Sequence, residues 1–341
     1  MTVQRPSVVD IHAHLFPHGL PNPADRDGDP RWPVLVPDGD TAAVLVAGKV
    51  TRRASRALWD VEERVRALDS AGVDLQVVSP VPVTLVPWAS TRAAVRWSEE
   101  LNDRLAEAAA KSAGRLLGLG SVPIGPEPGS ISAAVAEARR IRDRGLAGVE
   151  LATVPGGREL DDPELDPFWA AADELELPIL VHPTDARAVR RSGQPYEFGI
   201  GMLTDTALAG TALVFGGVLA RFPRLRIALC HGCGALPWTY ARTLHVAAGR
   251  PGVDGEAADA LLRRLWTDTL VFDPEHLRLV AGQVGIEHVM LGTDDPMVPG
   301  RLAVAEPEVR AAVEAGAVDE SALPGVLGGN ALRFLGIGDA R

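Results

Sequence analysis

With 341 residues and 46% hydrophobic content, the chain is long enough for one large domain or two ordinary ones around a sizeable buried core. A net charge of −11 argues against a nucleic-acid partner and against an anionic membrane surface. No signal-peptide pattern or bilayer-spanning stretch is read in it, and 2 cysteines are too few for a secreted disulfide framework, so a cytoplasmic protein with no membrane partner is expected.

The first expected strand, 8–11, runs directly into His12-Ala13-His14. Side chains at i and i+2 of an extended chain share a side, so the two imidazoles read as half of a metal site. The competing reading is a helix N-terminus or a surface turn with two incidental histidines. Residues 15–58 are rich in Pro, Gly and Asp, with a small hairpin pattern at 41–46 and 49–51. Beyond them, helical patterns at 60–71, 91–112, 130–144, 167–175, 203–222 and 257–265 alternate with apolar runs at 75–79, 116–122, 148–151, 179–181, 226–230, 270–272 and 288–292. Counting 8–11, that is eight runs. They are rich in Val, Ile and Leu with little polar alternation, as expected of parallel strands buried on both faces. The pattern predicts an α/β fold, a single (β/α)₈ TIM barrel over 1–341, with the insertion at about 15–58 serving as pocket wall or lid. A doubly wound open sheet is the alternative, but it would normally carry a glycine-rich phosphate loop where this chain has His-x-His.

Barrel chemistry sits at the C-terminal ends of strands. Those positions hold His12 and His14, then His182 in Val181-His182-Pro183, His231 in Cys230-His231-Gly232, and Asp294 in Gly292-Thr293-Asp294. Four of the 8 histidines fall there, while His18, His245, His276 and His288 have no such setting. A catalytic metal site needs three or four N/O ligands and an open position. His12, His14, His182 and Asp294 suit Zn²⁺, with Mn²⁺, Fe²⁺ or Co²⁺ as alternatives. His231 then remains for proton transfer, either deprotonating a metal-bound water or handing a proton to a substrate. Cys230 and Cys233 bracket it as Cys-x-x-Cys, readable as a redox pair, as a second metal site, or as a buried thiol and a small turn residue.

Taken together, His-x-His, His-Pro, His231-Gly-Cys-Gly-Ala-Leu-Pro, Gly-Thr-Asp-x-Pro and the tail Gly329-Asn330-Ala331 to Leu335 resemble the amidohydrolase superfamily. Within it, the likeness is to the aminocarboxymuconate semialdehyde decarboxylase branch, which also contains aromatic-acid decarboxylases. The resemblance implies zinc on His12, His14, His182 and Asp294, with His231 as the catalytic base, Asp294 beside it and no carbamylated lysine. It also implies that Arg242 reaches the substrate carboxylate of a neighbouring subunit in a homodimer, and that Lys49 faces the pocket. Three positions depart from the family pattern. A carboxylate-binding arginine falls on Ser55 with Arg56 beside it, an aromatic pocket residue becomes Met297, and the motif after strand five reads His182-Pro183-Thr184-Asp185. With Phe198, these changes are expected to reshape the pocket around a small carboxylic acid other than the muconate semialdehyde. The expected activity is metal-dependent, non-oxidative decarboxylation of a small unsaturated or aromatic acid, with His231 as acid/base and a metal-activated water. Hydrolysis of a lactone, amide or related bond is the alternative, and a metal-stabilised binding barrel a third reading.

Overall fold

A computed structural model describes residues 7–184, 187–191, 193–248 and 254–337; Asp185 of the strand-five motif lies outside the described residues. Strand β1 (Val9–Leu15) opens the barrel, and β2 (Val34–Asp38), β3 (Thr41–Val46) and β4 (Lys49–Ser55) form a separate antiparallel sheet within the insertion. The barrel continues with β5 (Leu75–Pro80), β6 (Leu116–Ser121), β7 (Gly148–Ala152), β8 (Pro178–His182), β9 (Arg226–Leu229), β10 (Trp266–Asp268) and β11 (Val289–Met290). These eight strands are hydrogen-bonded in the order β1-β5-β6-β7-β8-β9-β10-β11. The ring closes where Ile11 N–H donates to Leu291 O at 2.9 Å and Ala13 bridges Asp295. The fold is therefore a (β/α)₈ barrel.

The barrel interior is filled near its start by Val9, Ile11, Leu75, Val77, Leu180, Ala228 and Met290, against Phe334 and Leu335 of the helix Asn330–Leu335. A second apolar layer lies between strands and helices and takes Ala13 and Leu15 of β1. Within β1, then, Val9 and Ile11 face inward while Ala13 and Leu15 face outward. Strict alternation forbids that phase change, and a register irregularity between Asp10 and Ala13 supplies it. Without the bulge, His12 and His14 would project toward the outer helices instead of the barrel axis.

Helices at Val61–Ala71, Thr91–Lys111, Ser130–Asp143, Asp166–Leu175 and Gly255–Leu262 lie close to their expected places. The run 203–222 divides into Met202–Phe215 and Val218–Arg221, because Gly217 takes φ 78. Among the helices not foreseen, the three longest of the described residues are Leu236–Ala247, Pro274–Val284 and Arg301–Glu314. The seventh strand requires correction from 270–272 to Trp266–Asp268, since hydropathy favoured the apolar loop over a strand that ends in a carboxylate. The reading that no segment could span a bilayer is also corrected. Tyr196–Phe215 passes by length and composition, yet Ala207, Ala209, Leu213 and Val214 spend that apolar character on the barrel core.

A buried polar network ties β1 to its two neighbours. Arg64, fully enclosed in the helix Val61–Ala71, donates to Ala57 O at 2.8 Å, Gln76 Oε1 at 2.6 Å and His14 O at 2.6 Å, and lies 3.4 Å from Asp295 Oδ2. Gln76 Nε2 passes the chain to Asp10 Oδ2 at 2.7 Å, which also accepts from Thr293 Oγ1 at 2.6 Å. Arg64→Met strands several buried acceptors at once. It is expected to lower unfolding stability by about 3–5 kcal/mol in denaturant titration.

Candidate metal centre and active site

His12 and His14 from β1, His182 from the end of β8 and Asp294 after β11 converge, with imidazole centroids 4.9–5.2 Å apart. Their free ligand atoms all lie within 4.8 Å of one another and all four residues are buried. Each imidazole is held by its other nitrogen. His12 Nδ1 donates to Asp268 Oδ2 at 2.8 Å, His14 Nδ1 to Pro80 O at 3.1 Å and His182 Nδ1 to Pro183 O at 2.7 Å. A proton on Nδ1 leaves the Nε2 lone pair facing the centre. The Nε2 atoms of all three, and Asp294 Oδ1, are buried without a hydrogen-bond partner. His14 Nε2 and Asp294 Oδ1 are only 3.1 Å apart but not aligned as a hydrogen bond. Four buried, orphaned donor atoms of these types fit a divalent metal ion.

Burial pushes His14 down, and pushes His182 well down with the help of the neighbouring imidazoles, so both are neutral donors. His12 goes the other way. Burial alone would lower it, but Cys230, Asp268 and Asp294 hold it well above its usual value. Burial would raise Asp294, yet its contacts with His14, His231 and His12 keep it well below the carboxylate range.

His231 stands beside this group, its Nε2 3.6 Å from Asp294 Oδ2 and its ring 5.0 Å from that of His182. It sits at φ 57 in a tight turn after β9, followed by Gly232 at φ 60. A side chain on Gly232 would come within 2.2 Å of Val271, so only glycine fits there. The turn is fixed by Asp268, whose carboxylate accepts from His231 N at 2.8 Å, Gly232 N at 3.0 Å and Leu270 N at 3.0 Å. The same carboxylate orients His12. Asp268 stays ionised because these bonds, led by that to His12, outweigh its burial.

A family model described as Amidohydrolase matches residues 9–337. The chain belongs to the amidohydrolase family. A 2-amino-3-carboxymuconate-6-semialdehyde decarboxylase of Dictyostelium discoideum is 32% identical over 341 residues, covering 96% of this chain and 91% of that protein. A gamma-resorcylate decarboxylase of Rhizobium sp. is 27% identical over 222 residues, 60% of this chain and 65% of that protein. Among solved structures, apo IDCase of Metarhizium anisopliae superimposes with a TM-score of 0.78 at 22% identity, covering 97% of each chain, a likeness of fold.

In this amidohydrolase chain a cavity of about 950 Å³ opens over the centre, lined by His14, His182, His231 and Asp294. Of the residues expected around a substrate, Phe198 and Met297 line it, and Thr184 does so as well. Lys49, Ser55 and Arg56 do not. Lys49 and Ser55 are exposed at the two ends of β4, and Arg56 Nε is engaged by Asp60 Oδ2 at 2.9 Å. The cationic side chain that β4 does deliver is Arg52, 4.8 Å above the Phe198 ring. Arg52 pairs with Val44 across the sheet and shares its face, while Lys49 pairs with Val46 at the last position before the hairpin turn. Arg242 is exposed on Leu236–Ala247 and does not line its own chain's cavity.

Two further groups were missed. Asp268 was hidden by the misplaced seventh strand. Glu150, a charged residue within the apolar run 148–151, is wholly buried in β7 with Oε1 3.8 Å from His14 Nδ1. Burial pushes its carboxyl well above the usual range. The two thiols beside His231 are buried and free, each pushed up to about 12 by burial, which leaves them protonated. Asp268→Asn keeps the shape but removes the charge that orients His12. It is expected to weaken metal affinity by about 10–100-fold, read by competition with a chromogenic chelator.

Proposed function

We propose that the protein is a metal-dependent, non-oxidative decarboxylase of a small aromatic or unsaturated carboxylic acid. The observation that carries this reading is the set of four orphaned donor atoms within 4.8 Å of one another, flanked by His231 under a largely apolar cavity. The decarboxylase relatives support it. His12, His14, His182 and Asp294 are proposed to hold the metal. Three imidazole nitrogens with one carboxylate favour zinc, with Mn²⁺ as the alternative. Bound there, the metal supplies Lewis-acid polarisation of a substrate oxygen.

The protein's own side chains do the rest. Arg52 receives a carboxylate as a charge-assisted fork, and Phe198 beside it offers an aromatic face. His231 holds a proton toward the carbon that bears the departing group. As the C–C bond breaks, its electron pair stays on that carbon and captures the proton while CO₂ leaves. Hydrolysis of a lactone or amide uses the same residues and differs in product. Removal of the metal with a chelator is expected to abolish CO₂ release, and Zn²⁺ to restore it. His231→Asn should lower kcat by about 10²–10⁴-fold with metal content unchanged, and Arg52→Ala should cost at least about tenfold in kcat/KM. Metal-loaded protein that cleaves esters or amides and releases no CO₂ would select the hydrolytic reading.

We further propose a homodimer with shared sites. Arg242 projects from the helix that also carries Trp238, 83% exposed, and Val246, 61% exposed, beside Leu208 on Met202–Phe215. An apolar patch with a free arginine suits a symmetric interface in which Arg242 enters the neighbouring cavity. Mixing Arg242→Ala and His231→Asn chains, each inactive alone, is then expected to recover about a quarter of wild-type activity, because half of a random mixture is heterodimers with one intact site each. A cytoplasmic location is proposed on the two free, buried thiols.

A further inference from the structure

We propose that the substrate carries an apolar substituent of several carbons, received by a wall made of Val271, Phe272, Leu279 and Val298. The inference rests on the decarboxylase reading for the reacting end of the substrate and adds the chemistry of its far end. At about 950 Å³ the cavity stands near the upper limit of pockets that hold drug-sized ligands, well beyond what a single-ring acid fills. Its polarity is uneven. Apart from the metal centre and His231, the charged or titratable side chains among the described lining residues are Arg52, Glu197 and His276. His276 already has Nδ1 3.3 Å from Val271 O. The segment that follows β10, Leu270-Val271-Phe272, brings three apolar side chains in succession. Leu279 comes from Pro274–Val284 and Val298 from the loop after β11.

Phe272 is the decisive residue. It is 65% exposed, so it contributes little to the core. It is also held at φ 61, a left-handed conformation costly for a bulky side chain. The fold maintains that conformation from both sides. Asp268 pins the preceding turn through Leu270 N, and Asp273 caps the following helix by accepting from Glu275 N at 2.8 Å. The Arg301 guanidinium packs 4.9 Å from the ring. A large apolar ring presented rigidly to a cavity, at a conformational cost and outside the core, with its exposed surface left uncovered beside Arg301, is a surface kept for a ligand. A polar acid lacking the substituent would leave this wall against water.

The test uses metal-loaded protein and 2-hydroxybenzoates bearing hydrogen, methyl, propyl or pentyl at the 4-position, opposite the carboxylate. Both the Kd, by calorimetry, and CO₂ release are measured. Affinity is expected to rise about fourfold per methylene until the wall is covered, and kcat/KM to follow. Phe272→Asn keeps a residue that tolerates the left-handed region, so the chain should fold. It is expected to reduce the pentyl-to-hydrogen ratio of affinities about tenfold or more, and Leu279→Asn to do the same. A Kd independent of chain length overturns the proposal, as does a ratio unchanged in both variants. If affinity rises with chain length while no acid loses CO₂, the wall stands and the decarboxylase reading falls.

Discussion

The catalytic end of this barrel depends on the carboxylate of Asp268. One buried group accepts from the His12 ring and from the backbone N–H groups of His231, Gly232 and Leu270. It therefore sets the tautomer of His12, a proposed metal ligand, the strained turn that aims His231, the proposed proton handler, and the departure of the apolar loop that carries Phe272. A buried carboxylate is costly unless its lone pairs are satisfied, and four donors satisfy this one. The neighbouring strand makes room for it. A side chain at Gly292 would come within 2.6 Å of Asp268 Cβ and 3.1 Å of His12 Cβ, so the last strand passes close only as glycine.

A second constraint is the seam between β1 and β11, where the barrel closes and where His12, His14 and Asp294 must meet. Asp294 N donates to His12 O at 2.7 Å and His14 N to Asp295 O at 2.8 Å, so the ligands of the two strands are set against each other by backbone bonds. The bulge in β1 directs its histidines inward, and the Arg64–Gln76–Asp10–Thr293 network holds the bulged strand to both neighbours. The proposed metal site is thus built on rigid strand ends, while the cavity above it comes from loops and the inserted sheet. The chemistry and the choice of substrate are separated by element type.

That separation explains what was legible in the sequence. His12, His14, His182, His231 and Asp294 each follow a short apolar run, and a polar residue ending a buried strand is visible without coordinates. Asp268 follows the same rule, but Leu270-Val271-Phe272 is more apolar than Trp266-Thr267-Asp268 and drew the strand four residues downstream. The face of β1 was not legible, because a bulge changes phase without leaving a composition mark. Nor was the choice among Lys49, Arg52, Ser55 and Arg56. Which residue on or beside β4 looks into the cavity depends on where the inserted hairpin sits over the barrel mouth, a long-range property of the fold.

Charge balance accounts for the remaining buried acids. A divalent cation among neutral imidazoles needs about two negative charges nearby, and of the buried carboxylates around the centre Asp268 and Asp294 are held below their usual range. Glu150, in reach of His14, is held neutral by burial, and Asp10 is raised to about 6 chiefly by the same cause. Ionising Glu150 would oversupply negative charge to a dry site, whereas Asp10 is largely ionised at neutral pH and is met by its donors Gln76 and Thr293. The elevation of His12 belongs to the same account. Without a cation, the two carboxylates draw a proton onto the imidazole between them, and metal binding must displace it. The buried groups are matched to a +2 charge at one point, the point on which three Nε2 atoms and Asp294 Oδ1 converge.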